Sequence, residues 1–250
     1  MSTFEIVVLS AIGGFFLWSV WQNKTAARKI KKISDDLQKE KALFRADPKD
    51  YPHLDDAWYD EREGELRNLG YRLIGNLGME SVHSYVRASV SSDGHECIGF
   101  YHAKFPGLRG LMMRLLGVKD QYVVEATTSF SDGSIEITTT APESALLSVP
   151  EPLRRLHIAP DSSVRNVAMV HSKRVAAILV QRPDLDVIPV RTFEDLVATA
   201  RREEDLKRAH YAAHGGISRE DLERIGGAEN RGIAHEVHDE IEKLREKEAG

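Results

Sequence analysis

The chain has 250 residues, a length typical of one or two domains, and 42% of its residues are hydrophobic. Its net charge of -5 excludes the basic character of most nucleic-acid-binding domains, so no nucleic-acid partner is expected. A mean hydropathy of -0.36 requires any membrane-spanning signal to be local.

The first part of the chain contains one uncharged apolar stretch. Residues 6–21 read IVVLSAIGGFFLWSVW, with Trp18 and Trp21 where interfacial aromatic residues belong. A spanning helix needs about 20 apolar residues, a length that this stretch approaches. A cleaved signal peptide is the alternative, but no basic residue precedes the stretch and no small-residue cleavage pattern follows it. The sequence therefore predicts a transmembrane anchor over residues 1–22.

Basic residues follow this stretch, whereas none precedes it. Because positive charge stays inside, this asymmetry predicts an outward N-terminus, with the rest of the chain on the cytoplasmic side of a bacterial inner membrane. Anionic headgroups attract such clusters, so a lipid bilayer is the expected partner. The membrane-surface candidates come from this group and from a later basic segment: Lys29, Lys31, Lys32, Arg109 and Arg114.

The residues after the apolar stretch predict a helix, because residues 26–46 contain neither proline nor glycine. Its apolar residues follow a heptad-like spacing over about two heptads, which leaves two alternatives open. One is a coiled-coil stalk that forms a homodimer, and the other is a solvated spacer helix. The predicted domains are the anchor at 1–22, the stalk at 23–46, a linker at 47–56, a folded domain at 57–227 and a charged tail at 228–250.

Two β-hairpins are predicted by alternating apolar and polar residues on both sides of Asp93-Gly94 and of Asp132-Gly133. Together with a short strand candidate at residues 71–77, they give an antiparallel sheet of four or five strands. Helical spacing of apolar residues then predicts helices over residues 57–69 and 164–179, another opening at Thr192, and a short one from 218 to 226. Strands followed by helices indicate an α+β fold.

Three segments carry a resemblance to known sequences: LGYRLIGNLG at 69–78, SSDG at 91–94 and TTSFSDGSIEITTT at 127–140. Over roughly residues 60–215 the chain resembles a loose group of uncharacterised bacterial membrane-anchored proteins. That group shares an LGF..LG element, two Asp-Gly hairpins and a helical C-terminal part. The resemblance implies no activity, and no functional residue is carried over from it.

Ten histidines and one cysteine raise the question of a metal site. His95 and Cys97 lie two residues apart, and His210 and His214 lie four apart, but neither pair supplies the three or four converging ligands that zinc needs. No metal and no cofactor are therefore expected. His171 lies on an apolar helical face, which predicts a hydrogen-bonded core histidine.

Residues 104–119, KFPGLRGLMMRLLGVK, carry four basic residues and no acidic one. They predict a basic amphipathic helix between the two hairpins. Such a helix lies on a lipid surface, fills a partner's groove, or covers one face of the sheet as part of the core.

The chain carries no G-x-S-x-G, S-x-x-K or Walker motif. The leading functional hypothesis is therefore a membrane-tethered cytoplasmic interaction or scaffold domain without catalysis, which binds a protein partner or a second copy through the stalk. The alternative is an enzyme of unrecognised type with a polar pocket on the sheet face. The residues for that pocket are His83, Arg87, His95 and Cys97.

Overall fold

The computed structural model describes residues 25, 27–28, 30–32, 34–36, 38–80, 84–103, 121–141, 148, 150–226 and 231–249. The chain forms two compact units. Residues 40–206 form the sheet unit. The described residues of 1–39 and 207–250 form the helical unit.

One mixed sheet of eight strands organises the sheet unit. Seven strands lie in chain order across the sheet, and the short β8 pairs with β5. All neighbours are antiparallel except β6 and β7, which are parallel. The strands are β1 (Leu43–Arg45), β2 (Arg72–Met79), β3 (Tyr85–Val90), β4 (Cys97–Ala103), β5 (Gln121–Phe130), β6 (Ile135–Thr139), β7 (Leu153–His157) and β8 (Val187–Ile188).

Five α-helices have described bounds, and the described residues between 25 and 36 are helical as well. Polar N-caps start the first two, because the Asp55 carboxylate accepts from the Trp58 N–H and the Ser163 hydroxyl accepts from the Asn166 N–H. A 3-10 turn, Pro48–Asp50, precedes the first helix. The helices are α1 (Asp56–Asn68), α2 (Val164–Gln181), α3 (Phe193–Ala213), α4 (Arg219–Gly226) and α5 (Arg231–Ala249).

Both faces of the sheet are covered. On one face Tyr85 and Phe100 pack in a cluster that includes residues of α1 and α2, among them Val167. On the other face Val90 packs with Leu196 of α3. Successive residues of a strand point to opposite faces, so the buried strands carry apolar or hydrogen-bonded side chains on both sides.

The two predicted hairpins are confirmed, because β3 pairs antiparallel with β4, and β5 with β6. Their turns need glycine: Gly94 has a φ of 79° and Gly133 a φ of 95°, a region that residues with a side chain rarely adopt. The predicted number of strands and the predicted sheet type are wrong. The observed sheet has eight strands rather than four or five, and it is mixed rather than antiparallel.

The regions on either side of the predicted folded domain also differ from expectation. The helix predicted to continue to residue 46 gives way to β1, whose Phe44 pairs with Gly78 of β2. This edge strand therefore completes the sheet. The predicted charged tail forms α5, and its Val237 and Ile241 are buried, which ties the end of the chain to the helical unit.

No helix in the described ranges is long and apolar enough to cross a bilayer. The longest of them, α3, carries charged residues along its length, whereas lipid requires about 20 mainly apolar ones. The prediction of a single-pass membrane protein in a bacterial inner membrane is therefore not supported by the described helices. Residues 1–22, on which that prediction depended, lie outside the described residues, as do 104–119.

Candidate functional site

The residues proposed for an enzyme pocket do not converge. Arg87 faces α1, where its Nη1 lies 2.8 Å from a carboxylate oxygen of Asp60. Cys97 is buried against the opposite face, and burial raises the pKa of its thiol to about 12. His95 is exposed, and its Nδ1 lies 3.4 Å from Oδ2 of Asp93. His83 lies outside the described residues. A thiol that remains protonated and a structural arginine do not form a catalytic site.

The membrane-surface candidates are only partly described. Lys31 lies in the helical unit, where its Nζ is 2.9 Å from Asp35 and 2.7 Å from Glu248, and its side chain is 12% exposed. Lys32 is exposed. Lys29, Arg109 and Arg114 lie outside the described residues. Lys31 is thus engaged in ion pairs within its own unit.

His171 is a core residue, as predicted. Its two ring nitrogens lie 2.9 Å from the Thr128 hydroxyl and 3.1 Å from the Thr138 hydroxyl. One helical turn further along α2, Arg174 forms an ion pair with the buried Glu136. These bonds hold α2 to β5 and β6. Their polar groups are turned inward, so they contribute to the fold rather than to a site for a ligand.

A cavity of about 270 Å³ lies between α3 and the end of β5, where the short β8 pairs with it. We call it the Arg202 cavity. Four of its lining residues are spaced three, four and seven positions apart along α3, which brings them to one face of the helix. The lining residues are Ser129, Ile188, Pro189, Asp195, Ala198, Thr199 and Arg202.

Asp195 is fixed at the first turn of α3 by reciprocal capping. The Thr192 hydroxyl accepts from the Asp195 N–H, and Oδ2 of Asp195 accepts from the Thr192 and Arg191 N–H groups, both at 2.9 Å. The bonds from the Arg191 and Thr192 amides lower the pKa of the Asp195 carboxyl. Asp195 therefore remains a carboxylate. Its other oxygen, Oδ1, makes no hydrogen bond to any residue in the described ranges.

Two donors in the cavity wall have no protein partner among the described residues. The Ser129 hydroxyl is buried without a hydrogen bond, and the residue is 4% exposed. The Arg202 guanidinium makes no hydrogen bond or ion pair there either, and it lies beside Gly133, where an added Cβ would be 3.0 Å from Nη2. An unsatisfied buried hydroxyl costs about 1–3 kcal/mol. Such a group in the same cavity wall as an unpaired cation indicates a site for a ligand.

A second cavity, of about 330 Å³, lies where β2 begins and the β3–β4 turn approaches it. Its polar groups bond to one another: the Tyr71 hydroxyl donates to Glu96 at 2.6 Å, and the Ser91 hydroxyl donates to Asp93 at 2.6 Å. These bonds stabilise the turn. The second cavity therefore leaves fewer groups available to a ligand than the Arg202 cavity does.

The Arg202 cavity offers three groups that can bind a ligand. Arg202 supplies a permanent cation, Ser129 a hydroxyl donor, and Asp195 an ionised acceptor. A general base works best when its pKa lies near the operating pH, and that of Asp195 is lowered instead. The described lining contains no histidine or cysteine.

Sequence reasoning missed this cavity. The spacing of Asp195, Thr199 and Arg202 on one helical face was a readable signal, but nothing local connects that face with Ser129. Comparison with protein-family models, with curated proteins and with solved structures found no match to this chain. The resemblance to uncharacterised membrane-anchored proteins therefore stays a prediction.

Proposed function

We propose that the chain is a binding domain that holds a small molecule with an anionic group in the Arg202 cavity and performs no chemistry on it. The observation that carries this proposal is the pair of unsatisfied donors, the Ser129 hydroxyl and the Arg202 guanidinium, in one cavity wall. Arginine binds carboxylates and phosphates through its fork of N–H groups. The hydroxyl hydrogen of Ser129 is free to rotate toward a second acceptor.

The proposal retains the interaction domain expected from the sequence and gives it a ligand site. A protein partner, or a homodimer through residues 23–46, stays a prediction beside it. The enzyme alternative gains less support, because Arg87, His95 and Cys97 are separated and the Asp195 carboxyl is poorly suited as a base.

Calorimetric titration of the purified full chain tests the proposal. The probes are inorganic phosphate, 4-methylpentanoate and L-leucine. All three carry an anionic group, and the last two share one carbon skeleton and differ by the ammonium group of L-leucine. We expect at least one of them to bind, and Arg202→Met to weaken that binding by about tenfold or more, since a charge-assisted hydrogen bond contributes roughly 1.5–3 kcal/mol.

The adjacent Arg201 provides the matched control. Its Nη1 pairs with Glu40 at 2.6 Å, so its guanidinium is already engaged. Arg201→Met removes the same charge from the same helix and should leave binding unchanged. Binding of none of the three probes, or an equal loss in both variants, contradicts the proposal.

A further inference from the structure

The Arg202 cavity carries one positive and one negative side chain that do not neutralise each other. In the described structure, no ion pair within 4.0 Å joins Arg202 and Asp195, although both line the cavity from one face of α3. Two helical turns separate their Cα atoms by about 10 Å, a distance that the two side chains and one small molecule between them can span. The cavity thus presents both charges at once.

This charge balance discriminates between ligands. A purely anionic ligand forms an ion pair with Arg202, but the Asp195 carboxylate in the same cavity repels it. A ligand with a carboxylate and an ammonium group satisfies both residues, because the free Oδ1 of Asp195 accepts from the ammonium while Arg202 donates to the carboxylate. The buried Ser129 hydroxyl is a further donor for the carboxylate.

The remaining wall is apolar. Ile188, Pro189 and Ala198 line it, and Ile188 is 37% exposed. A hydrocarbon side chain laid against these residues removes their surface from water. The volume of about 270 Å³ lies just below the roughly 300–1,000 Å³ range of pockets for drug-sized molecules, so the ligand is small.

We infer that the Arg202 cavity binds a free amino acid with an apolar side chain, its carboxylate on Arg202 and Ser129 and its ammonium on Asp195. This inference rests on the proposed function, because it identifies the molecule that the proposed binding domain holds. It goes further by assigning Asp195 a role in recognition in addition to its role as a helix cap.

Three probes of similar shape test it on the full chain by calorimetry. L-Leucine carries both charges, 4-methylpentanoate lacks the ammonium, and 3-methylbutylamine lacks the carboxylate. We expect L-leucine to bind about tenfold or more tightly than either of the others, since each lost charge-assisted bond leaves a charged side chain unsatisfied.

The variant Asp195→Asn tests whether Asp195 binds the ammonium group of the ligand. Asparagine keeps an acceptor oxygen for the cap, so the fold should survive, but it removes the negative charge. The advantage of L-leucine over 4-methylpentanoate should then fall to within about threefold. A retained advantage in this variant overturns the inference. If the variant does not fold, the comparison of the probes on the unmodified chain still decides.

The outcomes separate the two proposals. Equal binding of L-leucine and 4-methylpentanoate, abolished for both by Arg202→Met, overturns the amino-acid inference and leaves the binding domain intact. Binding of inorganic phosphate alone has the same consequence. Failure of all anionic probes to bind overturns both.

Discussion

The Nε2 atom of His171 lies 2.9 Å from the Thr128 hydroxyl, so a residue of α2 is bonded directly to a central strand of the sheet. The Thr138 hydroxyl bonds the other ring nitrogen, and no part of His171 is exposed. Burial lowers the pKa of His171 from 6.5 to about 4, because the imidazolium loses its hydration. Between about pH 4 and pH 6.5, the folded protein therefore holds a neutral ring where an unfolded chain holds a protonated one.

This relationship predicts a pH-dependent stability. The unfolded chain binds the proton more readily, so the free energy of unfolding should fall as the pH decreases from about 6.5 to about 4. The shift corresponds to a loss of roughly 3 kcal/mol at the lower limit. Urea unfolding in half-unit pH steps measures it. His171→Gln should flatten the profile in this window.

The carboxyl group of Asp132 predicts a second range of pH-dependent stability, at lower pH than that of His171. Hydrogen bonds from Ser134, with a smaller effect of Arg182, lower the pKa of Asp132 from 3.8 to about 2. Its contribution to stability is present above pH 3.8 and is lost as the pH falls toward 2. Asp132→Asn should therefore change the profile below pH 4 and leave the His171 window unchanged. A change confined to the range above pH 5 would contradict this assignment.

Removal of two adjacent hydroxyls on β5 should change the free energy of unfolding in opposite directions. The Ser129 hydroxyl is buried without a partner, so Ser129→Ala should raise the free energy of unfolding of the unliganded chain by up to about 1 kcal/mol. The Thr128 hydroxyl bonds to His171 and to the His95 carbonyl, so Thr128→Val should lower it by about 1–3 kcal/mol. Chemical denaturation measures both. Destabilisation by Ser129→Ala would show that the hydroxyl has a structural partner.

Removing only one partner of the buried ion pair between Arg174 and Glu136 should lower the free energy of unfolding strongly. Arg174→Met leaves an unpaired charge on Glu136, whose side chain is 2% exposed, and should cost about 3–5 kcal/mol. The double variant Arg174→Met with Glu136→Leu removes both charges and should recover part of that loss. Recovery is incomplete because Arg174 also donates to the Ile137 carbonyl at 2.8 Å. A double variant less stable than Arg174→Met alone would contradict this account.

Two glycines of the helical unit provide a matched pair. Gly216 has a φ of 106°, and an added Cβ would lie 1.8 Å from Oγ of Ser34. That hydroxyl accepts from the Ile217 N–H and from Arg245. Gly216→Ala should therefore cost about 2 kcal/mol or more, through backbone strain and the loss of these bonds. Gly232 has no neighbour within 4 Å of an added Cβ, so Gly232→Ala should not lower the thermal midpoint.

Sequence reasoning identified the elements whose signals lie within a few residues. The Asp-Gly pairs located both hairpins, and the apolar face of residues 164–179 located α2 with His171 in the core. It missed β1, β7 and β8. β1 and β8 have three and two residues, too few to show a period, and β7 reads LRRLH, which does not alternate between apolar and polar residues. Their pairing depends on partners far along the chain, such as Met79 for Leu43. The membrane anchor predicted from the apolar stretch at residues 6–21 is not supported, because no helix in the described ranges is long and apolar enough to cross a bilayer.

Neighbouring residues, through their conformational preferences and their spacing, specify the turns, the helix starts and the helical face that carries Asp195, Thr199 and Arg202. The position of this face across the end of β5, where it encloses Ser129, depends instead on long-range packing. That contact joins residues far apart in the chain, and it depends on how α3 packs its other face, through Leu196, against the sheet. Packing of the whole core therefore determines where the cavity forms.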